Sequence, residues 1–239
     1  MPKGIFIVID GIDGSGKATQ TKLLADRFRR EKRKVKTIDF PRYGENFFGS
    51  LIGKCLSGKC GDFLSIDPHI VSVLYACDRF ESNKKIATWM KKGYVVIADR
   101  YVSANQIHQG AKISNAKIRS KFLLWLDALE HKVLGIAKPD MVVYLDVDPF
   151  VARKLLEHSD LSKKKQYLLK SENDVAEKNF EHQIRARSSA LFLSRHFSSW
   201  IRVSCMRKDE ILPVQEVSDR VWKAVRDRII FKNRKRYDT

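Results

Sequence analysis

The apolar run Ile5-Phe6-Ile7-Val8-Ile9 leads through Asp10 into Gly11-Ile12-Asp13-Gly14-Ser15-Gly16-Lys17, and a helix-like stretch begins where the glycines stop. A strand that is apolar at every position is buried on both faces, so it belongs inside a parallel sheet covered by helices. The glycines let the following backbone curl until successive N–H groups point inward, and the helix behind them adds the positive end of its dipole. Strand, turn and helix in this order form a cradle for phosphate, with Lys17 able to reach the β- and γ-phosphates of a nucleotide. The strict pattern G-x-x-x-x-G-K-[ST] fails at its last position, because Ala18 lacks the hydroxyl that usually meets Mg2+. Thr19 still offers a hydroxyl to a phosphate.

The same alternation continues along the chain. Strand-like runs fall at 4–10, 35–40, 94–98, 141–147 and 200–205, each apolar on nearly every residue as expected of strands buried on both faces. Helix-length stretches at 17–32, 66–92, 114–136, 149–158 and 174–197 lie between or beside them. This predicts an α/β fold with a five-stranded parallel sheet flanked by helices on both faces. A length of 239 residues suits one large domain, and no repeat or Pro/Gly-rich linker divides it. The domain is expected over 1–225, with the polar, Lys-rich stretch 159–173 as a flexible lid and 226–239 as a basic C-terminal tail.

Cys55, Cys60, Cys77 and Cys205 show neither C-x-x-C spacing nor a histidine at zinc-finger distance, which predicts reduced thiols in a cytoplasmic protein. No apolar run approaches the ~20 residues that span a bilayer, and the first is too short for a secretory leader, so no membrane partner is expected. The net charge of +18 attracts polyanions without choosing among nucleotides, nucleic acid and acidic surfaces.

Two further segments leave strand candidates at their carboxyl ends, where open parallel sheets bind ligands: Asp39-Phe40-Pro41-Arg42-Tyr43 and Asp99-Arg100-Tyr101. Lys17, Arg42, Arg100, Asp13 and Asp99 are therefore expected to converge on one crevice. Arg100 suits a phosphate fork, and Asp99 suits a hydrated metal or a positioning role. Taken singly, each of these charges reads equally well as half of a surface ion pair.

Together these segments resemble the thymidylate kinase family of P-loop nucleoside-monophosphate kinases. The likeness also takes in Tyr75 through Arg79, Asn105 through Gln109-Gly110, Lys138-Pro139-Asp140 and Asp174 through Glu177, covering about residues 4–205. It implies a P-loop NTPase-like fold and ATP- and Mg2+-dependent phosphorylation of dTMP to dTDP by a homodimer. The ATP phosphates would lie on Gly11, Asp13, Gly14, Ser15, Gly16, Lys17, Ala18 and Thr19, with Lys163, Lys164 or Lys165 closing from the lid and Arg153 as a competitor. Tyr75 would stack on the thymine, Arg79 and Asn105 would meet its polar edge, and Tyr43 and Arg100 would hold the 5′-phosphate. Phe40, Pro41, Arg42, His108 and Gln109 complete the substrate side. Lys17, Arg100, Asp13 and Asp99 would carry catalysis, with Asp13, Asp99 and Glu177 near the metal.

The chain departs from the family pattern at Ala18, at Phe150, and at His108, where the family usually has tyrosine near the sugar. A histidine there is expected to titrate near neutrality and make sugar selectivity drift between about pH 6 and 8. Two other readings compete: a mononucleotide or deoxynucleoside kinase of different base preference, and a nucleic-acid-binding P-loop ATPase. The second rests on charge alone, so no specific nucleic-acid partner is expected.

Overall fold

The computed structural model describes residues 4–63, 65–158 and 180–237. The strands are β1 (Ile5–Gly11), β2 (Val35–Asp39), β3 (Val95–Asp99), β4 (Met141–Asp146) and β5 (Trp200–Ser204), all parallel, in the order β2-β3-β1-β4-β5. The helices are α1 (Lys17–Arg30), α2 (Phe47–Lys54), α3 (Pro68–Lys91), α4 (Val102–His108), α5 (Ala116–Asp127), α6 (Pro149–His158), α7 (Phe180–His196) and α8 (Val214–Tyr237). A small antiparallel pair, β6 (Met206–Arg207) and β7 (Glu210–Ile211), precedes α8.

The three central strands are buried because nothing polar interrupts them: Phe6 through Ile9, Val95 through Ala98, and Met141, Val143, Tyr144 and Leu145 are each 0% exposed. β2 departs from the expectation of burial on both faces. It lies at the sheet edge, where Lys36 and Thr37 face solvent and only Ile38 is buried. Helices cover the sheet in layers. α1 pairs with α8 through Phe28 against Trp222, and α7 joins α4 through Ser189 Oγ donating to the Gln106 carbonyl. Because β1 sits between β3 and β4, the loop leaving it opens at the point where the connections diverge, the usual ligand crevice of such sheets.

One expectation needs correction. Cys55 and Cys60 form a disulfide, although their spacing suggests reduced thiols; Cys77 and Cys205 are free. The π-helical turn Cys55–Lys59, with Gly58 at φ 81°, brings the two Cα atoms to 4.6 Å, a closeness that spacing alone does not reveal. At the other end of the chain, α8 runs unbroken from Val214 to Tyr237 and takes in most of the basic stretch that begins at 226. The lid segment 159–173 lies outside the described residues.

A buried ion pair ties the substrate-side helices together. Arg79 on α3 is 1% exposed and Glu130, in the π-turn after α5, is 0% exposed. Arg79 Nε donates to Glu130 Oε2 at 3.0 Å, its Nη2 pairs with Oε1, and its Nη1 donates to the Tyr101 carbonyl at 3.3 Å. Removing one partner leaves a buried charge unpaired, so Glu130→Ala is expected to lower the unfolding free energy by about 3–5 kcal/mol. Urea unfolding measures this, and a loss below about 1 kcal/mol would mean that water re-solvates the guanidinium.

Candidate active site

The phosphate loop takes its shape from two glycines. Gly14 and Gly16 both stand at φ 82°, a left-handed conformation that glycine adopts without strain. A Cβ on Gly14 would also meet the Ala152 carbonyl oxygen at 2.3 Å, so α6 can abut the loop only because no side chain intervenes. Ser15 Oγ is buried in the loop without a hydrogen-bond partner. Lys17 heads α1; its Nζ donates to the Ile12 carbonyl at 2.9 Å and stands 3.9 Å from Asp13 Oδ1.

Arg100 follows β3 at φ 63°, an unfavourable conformation for a side-chain-bearing residue, held by its N–H donating to the Ile9 carbonyl at 3.0 Å. Its Nη2 donates to Asp13 Oδ1, and its Nη1 lies 3.2 Å from His108 Nε2. Asp10, fully buried at the end of β1, accepts from Ser103 Oγ and from the Gly11 N–H. Burial alone would raise the Asp13 carboxyl, but Arg100 and Lys17 outweigh it and hold the group well below the usual carboxylate range. Burial opposes the Arg100 charge as well, and the carboxylates of Asp13, Asp10 and Asp99 more than restore it. For Lys17, burial and the neighbouring Arg100 win, and its pKa is lowered to about 8. Burial and Arg100 also keep His108 well below its ordinary value. That direction runs against the expected drift of selectivity between about pH 6 and 8.

Beside this cluster lies a cleft. Phe40, Pro41, Tyr43, Tyr75, Arg79, Asn105, His108 and Gln109 line it, together with Asp13 and Arg100. Asn105 Nδ2 donates to the Ser72 carbonyl at 3.2 Å and to Glu130 Oε1 at 3.4 Å. Gln109 Oε1 is buried with no partner. Arg42 does not join the lining: its guanidinium pairs with Asp39 and Glu45. Arg79 reaches the cleft wall with its donors engaged by Glu130 and Tyr101. Asp99 lies on a separate groove with Ala18 and Thr21, while Ala18 and Thr19 are exposed. Arg153 packs over the Phe180 ring, 5.7 Å from its centroid. Lys163, Lys164, Lys165 and Glu177 lie outside the described residues.

The sequence reading missed Asp10, His182 and Gln183. Asp10 reads as the end of an apolar strand. His182 and Gln183 come from α7, far along the chain, and no local motif marks them.

The thymidylate kinase family model matches residues 9–197. The chain belongs to the thymidylate kinase family. It is 34% identical over 148 residues to thymidylate kinase of Mycobacterium tuberculosis (strain CDC 1551 / Oshkosh), covering 62% of this chain and 68% of that one. To thymidylate kinase of Plasmodium falciparum it is 28% identical over 211 residues, covering 87% and 85%. The solved structure of Candida albicans thymidylate kinase superimposes with a TM-score of 0.69 at 21% identity, covering 97% of this chain and 93% of that one. That likeness shows the shared fold: a five-stranded parallel sheet with flanking helices. Thymidylate kinases convert dTMP to dTDP with ATP as the phosphoryl donor.

The lowered Lys17 pKa has a measurable consequence. If Lys17 receives the ATP phosphates, as the resemblance implies, kcat/KM for ATP, which reports the free protein, should fall as pH rises through about 8, where the ammonium gives up its proton. A flat profile between about pH 7 and 9 would remove Lys17 as the group that receives those phosphates.

Proposed function

We propose that the glycine loop and Lys17 hold the ATP phosphates while Arg100, at the end of the neighbouring cleft, holds the 5′-phosphate of dTMP. The observation that carries this reading is the meeting of Lys17, Asp13 and Arg100 at the mouth of β1, with Asp13 and Arg100 also lining a cleft walled by aromatic side chains. Phosphoryl transfer needs donor and acceptor in line, their mutual repulsion neutralised, and water kept out. Lys17 and Arg100 supply one cation to each phosphate. Asp13 holds Arg100 until an acceptor phosphate offers the guanidinium a second anion.

The apolar and aromatic walls from Phe40, Tyr43 and Tyr75 suit a flat base. Asn105 gives the polar edge a direction. Both acceptors near it face Nδ2, so Oδ1 is the atom available to receive a hydrogen bond from the ligand. Thymine presents a donor N3–H there and cytosine a bare nitrogen.

Mg2+ belongs to the same proposal. Among the described residues no three metal-ligating side chains converge, which suits an ion that keeps several waters and arrives on the nucleotide phosphates. Asp99, on the groove beside Ala18, and the buried hydroxyl of Ser15 are oxygen donors that fit it, while Asp13 is paired with Arg100. When bound, the ion neutralises charge on the transferring phosphoryl group.

A homodimer is proposed on the outward face of α3, where Ile70, Val73 and Phe80 are exposed at helical spacing. Among the described residues no helix is long and apolar enough to cross a membrane.

Lys17→Ala and Arg100→Ala should each lower kcat/KM by about 10²-fold or more, as loss of one charge-stabilising donor does. Either variant, folded and near full activity, would show that the phosphates lie elsewhere. Asn105→Ala should narrow the preference for dTMP over dCMP by about tenfold or more. Equal slowing with both acceptors would assign Asn105 to packing instead.

A further inference from the structure

We propose that His182 and Gln183, adjacent in the first turn of α7, are positioning residues that fix the Arg100 guanidinium through His108 and Asp13. This rests on the reading of Arg100 as the group that holds the acceptor phosphate. Arg100 has two terminal nitrogens, and each has a support: Asp13 at Nη2 and His108 at Nη1. Each support is in turn held from α7.

Gln183 grips Asp13 at two points. Its Nε2 donates to Asp13 Oδ2 at 2.9 Å, and its Oε1 accepts from the Asp13 N–H at 3.3 Å. Only one orientation of the amide serves both contacts, because one partner is an acceptor and the other a donor. The grip leaves Asp13 Oδ1 directed at Arg100. His182 acts on the other arm. Arginine has donors only, so His108 Nε2 accepts from Arg100, and the His108 proton sits on Nδ1. That nitrogen lies 3.3 Å from His182 Nε2, and the two rings are within 24° of parallel with centroids 5.5 Å apart. His182 Nε2 therefore accepts from His108 Nδ1–H and sets the tautomer that Arg100 requires. Both α7 residues are nearly enclosed, at 5% and 6% exposure.

The attachment of α7 to the fold does not depend on these contacts. Ala186, Ala190 and Leu193, each 0% exposed, bury its inner face, and Ser189 binds the Gln106 carbonyl. What His182 and Gln183 add is orientation. An arginine fixed on both arms meets the phosphate already aligned, whereas a loosely held one must be ordered during the reaction.

The test uses substitutions that keep shape and remove polarity. Gln183→Met retains length without either amide atom, and His182→Phe retains a stackable ring without Nε2. Each should raise KM for dTMP about tenfold and lower kcat, leaving KM for ATP within about twofold; Gln183→Met, which strips two hydrogen bonds from buried Asp13, should also lower the thermal midpoint while the protein stays folded at the assay temperature. In an Arg100→Ala background neither should have any further effect, because the group they position is gone. Gln183→Glu preserves the acceptor for the Asp13 N–H and sets a carboxylate against that of Asp13, so it should harm dTMP use more than Gln183→Met does.

Wild-type constants in both α7 variants, effects that add fully to Arg100→Ala, or equal rises in both KM values would overturn the inference. If Arg100→Ala itself keeps near-full activity, the reading of Arg100 falls, whatever the α7 variants do. If Arg100→Ala is crippled while the α7 variants are unaffected, only the inference falls.

Discussion

The ion pair between Asp13 and Arg100 joins the two segments on which the site is built. Asp13 belongs to the loop that leaves β1, and Arg100 follows β3, its hydrogen-bonded neighbour in the sheet. The pair forms across adjacent strand ends because the β2-β3-β1-β4-β5 order places β3 directly beside β1. A buried carboxylate against a half-buried guanidinium is tolerable only when their remaining hydrogen-bonding capacity is met. Gln183 and His108 contribute hydrogen bonds here, and Lys17 adds a positive charge 3.9 Å from Asp13 Oδ1. Placing opposite charges at the mouth of the central strand therefore draws in α1, α4 and α7 as well.

The parts of the fold that were legible share one property: their local pattern and their tertiary environment agree. β1, β3 and β4 are apolar runs that the sheet buries on both faces, and their observed bounds lie within one residue of the runs seen in the sequence. β2 differs in carrying Lys36 and Thr37 among its apolar residues, and it lies at the sheet edge, where those two face solvent. α2 and α4 span 8 and 7 residues, too short for a helical period to declare itself. The β6-β7 pair turns at Lys208, at φ 52°, without the Gly or Asn that usually marks such a corner.

The site divides along the same line. Lys17, Asp13 and Arg100 sit at strand ends within recognisable short motifs, and the sheet brings them together. Arg42 belongs to an equally recognisable motif, yet Asp39 and Glu45 turn its guanidinium aside. Arg79 reaches the cleft already bound to Glu130, a partner 51 positions away. His182 and Gln183 escaped notice because their meaning is wholly tertiary. A His-Gln pair on a helix acquires a role only once the helix is laid against the loop.

The cleft is walled by two separate apolar clusters. The large one is built on the sheet and includes Phe40 and Tyr101; the small one joins Tyr43, Ile52, Cys55, Leu56, Phe63 and Val71 from the α2–α3 region. The cleft is thus a seam between a principal core and a minor one. A unit with few buried side chains opens locally at lower free energy than the sheet beneath it. A flat ligand in the seam contacts both clusters and serves as the missing layer between them. Under the proposed reading, binding stabilises the minor core by an amount that grows with the logarithm of ligand concentration once the site fills, so the substrate acts as part of the scaffold that encloses it.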